Sequence, residues 1–116
     1  MRIILAALAL MIGNAAWAAE VEVGTSSSII AQLLKYSDAS SSNIAGDLLI
    51  DLSNPANGAV CRGAYLSRSD AQYADVLQMA ISAQASGAPI RVLAESTQLW
   101  PGSTDRYCYL TVLVLR

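Results

Sequence analysis

The sequence predicts a mainly β domain with a single helix, in the order β-β-β-α-β-β. Three observations predict it. Residues 70–86 carry a capped apolar pattern at helix period. Segments on either side alternate apolar and polar residues with a period of two. Cys61 and Cys108 bracket the helix and the strand that follows it.

The first element, residues 28–36, is open to two readings. Ile29, Ile30, Leu33 and Leu34 suit a helix face, whereas their β-branched, alternating character suits a strand. Taken as a strand, it gives three strands ahead of the helix. Residues 44–52 come next, with Ile44, Gly46, Leu48, Ile50 and Leu52 on one face and Asp47, Leu49 and Asp51 on the other. The run Asn54-Pro55-Ala56-Asn57-Gly58 is a turn, and residues 59–67 form the third strand.

The helix has the clearest signals. Ser69 is an N-cap residue type with Gln72 three positions on, the pattern of a capping box. Asp70 and Asp75 lie early, where the helix dipole favours negative charge. Tyr73, Leu77, Ala80, Ile81 and Gln84 define the expected buried stripe, and Val76, Met79 and Ala83 a second face. Gly87 supplies a left-handed C-cap and Pro89 prevents continuation. Ile90, Val92 and Ala94 then alternate with Arg91, Leu93 and Glu95. In the last strand, residues 106–115, Cys108, Leu110, Val112 and Val114 share a face; the other, with Tyr109, Leu113 and Leu115, is not polar either. One helix bridging strands three and four is the layout of an OB-type five-stranded barrel.

Residues 1–18 have the three parts of a secretory signal peptide: Arg2, an apolar run at 3–12, and Ala16-Trp17-Ala18 before the expected cut. The run is short for a membrane span, so cleavage is expected rather than retention as an anchor. One domain, residues 19–116, remains, in the periplasm or secreted. Arg2 is one of the seven basic residues, so six face nine acidic ones after cleavage, a net charge of −3. Such a chain lacks the clustered Lys and Arg that nucleic acid or an anionic membrane requires.

An exported domain this small commonly needs a covalent staple. Cys61 and Cys108 are the only cysteines, and closing a loop of that length stabilises a fold by about 4 kcal/mol. Their wide spacing is unlike the usual CxxC redox pair, which favours a structural disulfide over a reactive thiol pair.

The stretch Cys61-Arg62-Gly63-Ala64-Tyr65-Leu66-Ser67, with Tyr73-Ala74-Asp75-Val76-Leu77-Gln78-Met79-Ala80 and Ala83-Gln84-Ala85-Ser86-Gly87-Ala88-Pro89-Ile90-Arg91-Val92, resembles the cell-binding B subunits of bacterial AB-type toxins. The pattern is similar to that of the subtilase cytotoxin branch and its pertussis-like relatives over roughly residues 60–115; small secreted proteins of unknown function share the layout. The resemblance implies an OB fold, a disulfide, a homopentamer, a host glycan or glycoprotein as ligand, and a separate catalytic A subunit. The serine and tyrosine with which such subunits contact sialoglycans fall in the early strands and have no assignable counterpart here.

Catalytic resources are few. Histidine is absent, which removes Ser-His and Cys-His nucleophiles and any His metal ligand, so no enzyme activity, metal or cofactor is expected. Asp47 and Asp51 share a strand face, but four strand residues separate them by about 13 Å, beyond the ~5–9.5 Å of glycosidase carboxylate pairs. A solvated strand face is the expectation for both. Trp100, in the loop before the last strand, is the candidate for covering a sugar ring, with Ser103, Asp105 and Arg106 to bond its hydroxyls. The alternative is that Trp100 closes the barrel end by packing. A binding protein is therefore expected, with a small periplasmic inhibitor or protein-interaction module as the alternative.

Overall fold

The computed structural model describes residues 20–25, 27–37 and 43–115. The signal segment at 1–18 lies outside the described residues. Six strands and one helix occur in the order β1 (Glu20–Gly24), β2 (Ile30–Lys35), β3 (Leu48–Leu52), β4 (Gly63–Leu66), α1 (Tyr73–Ser86), β5 (Ile90–Leu99) and β6 (Tyr107–Leu115). They make a single sheet ordered β1-β5-β6-β4-β3-β2, which is not closed by pairing between its outermost strands. The β4–β6 pair is parallel and the other four neighbours are antiparallel.

Mainly β with one helix is thus the observed class, but with six strands rather than five. The additional strand is β1, where Glu20 and Glu22 face solvent while Val23 is fully buried. Residues 30–35 are a strand, which resolves the two readings of that segment. The outermost strands β1 and β2 are consecutive in the chain. Their connector is bonded on both sides, since Ser28 O accepts from Ile90 N at 2.9 Å and Ile29 O from Ser53 N at 3.0 Å. The buried Ser28 hydroxyl accepts from Thr25 N and donates to Asn54 O, fixing the bend.

Two strands are shorter than their alternation suggests. Residues 43–46 form a turn with Gly46 at φ 76°, so β3 starts at Leu48. Asn57 O accepts from both Val60 N and Cys61 N, which holds that stretch as a turn and delays β4 to Gly63. Gly63 cannot carry a side chain, because a Cβ there would sit 2.1 Å from Ile50 O and 3.1 Å from the Tyr107 ring.

The helix starts at Tyr73, three residues later than expected. Ser69 Oγ bonds Ser67 Oγ instead of capping, and Asp70 Oδ1 accepts from Gln72 N within a preceding turn. Its C-terminus is as expected: Gly87 adopts φ 66°, Gly87 N donates to Gln84 O, and Ala88 N to Ala83 O. The buried face is rotated from the expected stripe. Ala80 and Ala83 are buried with Tyr73, Val76 and Leu77 half-buried, while Ile81 is 53 % exposed and Gln84 faces solvent. Small side chains let the helix lie close to the sheet, and the bulkier Ile81 is left outside.

The main core joins Val23, Ile30, Leu48, Ile50, Leu52, Ile90, Val92 and Leu110 to the helix alanines. A second cluster of Leu49, Trp100 and Tyr107 covers the opposite face of β3, so β3 is buried on both sides. Asp47 and Asp51 are therefore not on a solvated face as expected; both are buried. In the β5–β6 pair the register shifts between Leu93 and Ala94, opposite Val112 and Leu110. This bulge inverts the facing of the strand residues beyond it. Val112 and Val114 are consequently exposed and Leu113 half-buried, the reverse of a continuous Cys108-to-Val114 face.

Candidate functional site

Among the described residues, side chains able to meet a ligand gather at more than one place. The first is the loop joining β5 to β6. Trp100, at its start, donates from backbone N to Tyr107 O at 2.8 Å and from Nε1 to Asp47 Oδ2 at 2.8 Å. Its ring lies 5.1 Å from Tyr36 and stands edge-on to Tyr107 at 6.2 Å. Gly102 presses on the indole so closely that a Cβ there would approach it to 2.3 Å. With 2 % of its surface exposed, Trp100 has no open face for a sugar ring. It packs, and it ties the β5–β6 loop to Tyr36 and Asp47 beyond the end of β2.

The other three candidates are exposed and lie together. Ser103 Oγ accepts from Asp105 N at 3.0 Å, which shapes the loop. Arg106 Nε donates to Val60 O at 2.8 Å. Asp105 Oδ2 faces Arg62 Nη1 at 3.6 Å, and Arg62 Nε reaches Asp51 Oδ1 at 3.1 Å. Hydrogen bonding and charge from Asp51 raise the Arg62 pKa further above its already high ordinary value. Arg62 is the member that sequence spacing did not suggest. The available signal was its position beside Cys61, since the Cys61–Cys108 disulfide, with Cα atoms 5.7 Å apart, brings that neighbourhood to Arg106. Burial raises the Tyr107 phenol beneath, helped by Asp51.

The second place is a cleft of about 530 Å³ between α1 and β6. Val76 and Met79 form the helical wall, Thr111 and Leu113 the strand wall, and Asp70 and Asp75 line the same space. The Tyr109 hydroxyl donates to Asp70 Oδ2, and the Tyr109 ring meets Tyr65 edge-on at 5.7 Å. Tyr73 OH donates to Gly46 O at 2.8 Å, anchoring the start of the helix.

The Tyr109–Asp70 bond shifts both partners. The Asp70 carboxyl is held below its ordinary 3.8 by the Tyr109 hydroxyl first and the Gln72 N–H second. Folding thus favours its ionised form, and that contribution fades as pH falls below about 3.8. The Tyr109 phenol is pushed up to about 12 by its bond to Asp70 and then by burial. Folding favours the neutral phenol, so this contribution is complete below its ordinary value of 10.0 and is lost as pH rises towards 12. Tyr109→Phe is expected to cost about 1 kcal/mol at pH 7 and to flatten the loss of stability above pH 10. Urea midpoints at pH 7 and 11 measure both; an unchanged alkaline slope would refute the bond.

No protein-family model, curated protein or solved structure matches the chain. The two sites therefore stand on their own geometry. Among the described residues no cluster of three metal-ligating side chains occurs, and no helix is long and apolar enough to cross a membrane.

Proposed function

We propose that this chain is an exported, disulfide-stapled binding domain of OB type that recognises a host glycan or glycoprotein, in the manner of a toxin B subunit. The observation that carries the reading is the strand succession. β1 and β2 are successive in the chain, one at each end of the sheet, and β4 runs parallel to β6. Counted as one bent first strand, β1 and β2 give the five-strand order of an OB barrel, with α1 between the third and fourth strands.

In that counting the loops after the first and fourth strands are the pair with which OB folds hold oligonucleotides and oligosaccharides. Here they are the segment after β2 and the β5–β6 loop, which Trp100 joins through Tyr36 and Asp47. Ser103, Asp105, Arg106 and Arg62 then form the polar rim offered to sugar hydroxyls, with Trp100 as its support. A net negative charge disfavours nucleic acid. Export is supported by the pattern of residues 1–18 and by the paired cysteines.

The exposed Val112, Val114 and Leu115 support self-association into a ring of like subunits, and a toxin role would add a separate catalytic A subunit. Light scattering that shows only monomer at micromolar concentration would end the ring proposal. The alternative of a small periplasmic inhibitor or protein-interaction module is favoured by the α1–β6 cleft.

A glycan array probed with the purified protein tests the main reading. Binding is expected, and the pair Ser103→Ala and Asp105→Ala is expected to weaken it about tenfold, roughly 1.4 kcal/mol, with little change in melting temperature. The Asp105–Arg62 pair is solvent-exposed, so its loss costs little stability. An array with no bound glycan would overturn the reading.

A further inference from the structure

The α1–β6 cleft is unlike an ordinary surface depression because a strand margin runs along it. β4 pairs with β6 only at Tyr107, Cys108 and Tyr109. From residue 110 to 115 the described partner of β6 is β5 alone, on its other side. A strand left without a neighbour presents backbone N–H and C=O groups in a row, ready to pair with another chain. Across the cleft stand Val76 and Met79, so the margin is faced by an apolar wall rather than by open solvent.

Charge selects among occupants. Among the described residues, the cleft is lined by Asp70 and Asp75 and by no Lys or Arg. Asp70 already accepts from Tyr109 and Gln72, and Asp75 is exposed in the first turn of the helix. A cationic side chain seated there meets two carboxylates. One added strand occupies one inter-strand spacing, about 4.8 Å.

We propose that this cleft is a peptide-binding groove, in which a single extended segment adds alongside residues 110–115 and directs a Lys or Arg side chain to Asp70 and Asp75. Backbone pairing supplies affinity and the groove walls read alternate side chains, the general mode of strand addition. The proposal is independent of glycan recognition at the β5–β6 loop, and a ring built on the exposed Val112 and Val114 side chains would use the outward face of β6 rather than this margin.

Selection of a random hexapeptide library on the purified protein tests it, with amide NMR of the complex with the enriched peptide as the second step. Enrichment of sequences with alternating apolar residues beside a Lys or Arg is expected. The Thr111 and Leu113 amides should shift and exchange more slowly when that peptide is bound. Asp75→Asn should weaken binding at least fivefold, and the charge-reversed peptide should not bind; Asp105→Ala should have no effect. Met79→Trp, which fills the groove without adding charge and should abolish binding, provides a second variant if Asp75→Asn folds poorly. The proposal is overturned if no sequence is enriched, if acidic and basic peptides bind alike, or if the shifts fall on Gln32 to Lys35 of β2. It is also overturned if residues 110–115 become protected with rising protein concentration alone, because a second copy then owns the margin.

Discussion

Trp100→Ala is expected to lower the melting temperature by more than 15 °C or to prevent folding. The indole is 2 % exposed and lies between the Tyr36 and Tyr107 rings over Leu49. Truncating a buried aromatic to alanine costs about 3–5 kcal/mol, because the surroundings close only partly over the cavity. A second cost adds to it. Asp47 is 5 % exposed and accepts from Trp100 Nε1, so the substitution removes the donor to a buried carboxylate. Leaving such a group unsatisfied adds about 1–3 kcal/mol. Against a total stability of roughly 5–15 kcal/mol, little remains, and each kcal/mol moves the midpoint by about 4–8 °C in a domain of this size.

The two costs separate experimentally. Trp100→Phe keeps an aromatic ring and discards the donor, so it should lose mainly the hydrogen-bond share. Adding Asp47→Asn to that variant should recover part of the loss, since a neutral amide is cheaper to bury than a carboxylate. Circular dichroism melts of the three variants give the comparison. A Trp100→Ala protein that melts within a few degrees of the parent would show that the cluster carries little stability. Glycan binding would then have to be retested at the indole itself.

The same residue marks where the sequence stopped being informative. Alternation placed Asp47, Leu49 and Asp51 on the face opposite Leu48 and Ile50, and the placement holds. The cover over that face is set by Trp100 and Tyr107, some fifty residues away, and local period carries no trace of a partner so distant. A carboxylate on a strand looks wet until the lid is known. The helix shows a similar division. Gly87 and Pro89 act locally, through backbone conformation, so the C-terminus was legible. At the N-terminus Ser69 had a competing partner in Ser67, and Asp70 was drawn to Tyr109 of a strand that comes after the helix. The stripe was misplaced because Ile81 counts as apolar in any pattern, although close packing on the sheet favoured the smaller Ala83.

β1 was missed: the alternation of Glu20, Val21, Glu22 and Val23 makes a strand only against a sheet edge, and that edge is β5. The bulge opposite Leu93 and Ala94 left no mark in composition, yet it decides which side of β6 faces the cleft. In the β5–β6 loop, the types of Ser103, Asp105 and Arg106 in a turn-rich stretch suggest them as candidates, and all three are exposed. Arg62 is not suggested in this way, because its approach to Asp105 depends on the disulfide and on the β4–β6 pairing.

Removing the disulfide, by Cys61→Ala with Cys108→Ala, is expected to lower the melting temperature by about 20 °C. Both cysteines are buried, and alanine leaves no unsatisfied polar group where serine would. The bridge spans 47 positions, and releasing that constraint costs about 4 kcal/mol in the chain-entropy account. Its location should make the loss local before it is global. The closed loop contains α1 and β5, and its ends sit where β4 meets β6 in a parallel pairing of three residues. Parallel strands cannot be joined by a tight hairpin, so this short seam depends on the covalent link more than the antiparallel β5–β6 ladder does. Hydrogen exchange should therefore show residues 107–109 losing protection ahead of residues 90–93 and 112–115. Reduction of the parent protein with a dithiol should reproduce both effects. If the double variant melts within about 5 °C of the parent, or if the seam and the ladder open together, the bridge is not what holds β4 against β6. The polar rim built on Arg62 would then rest on strand pairing alone.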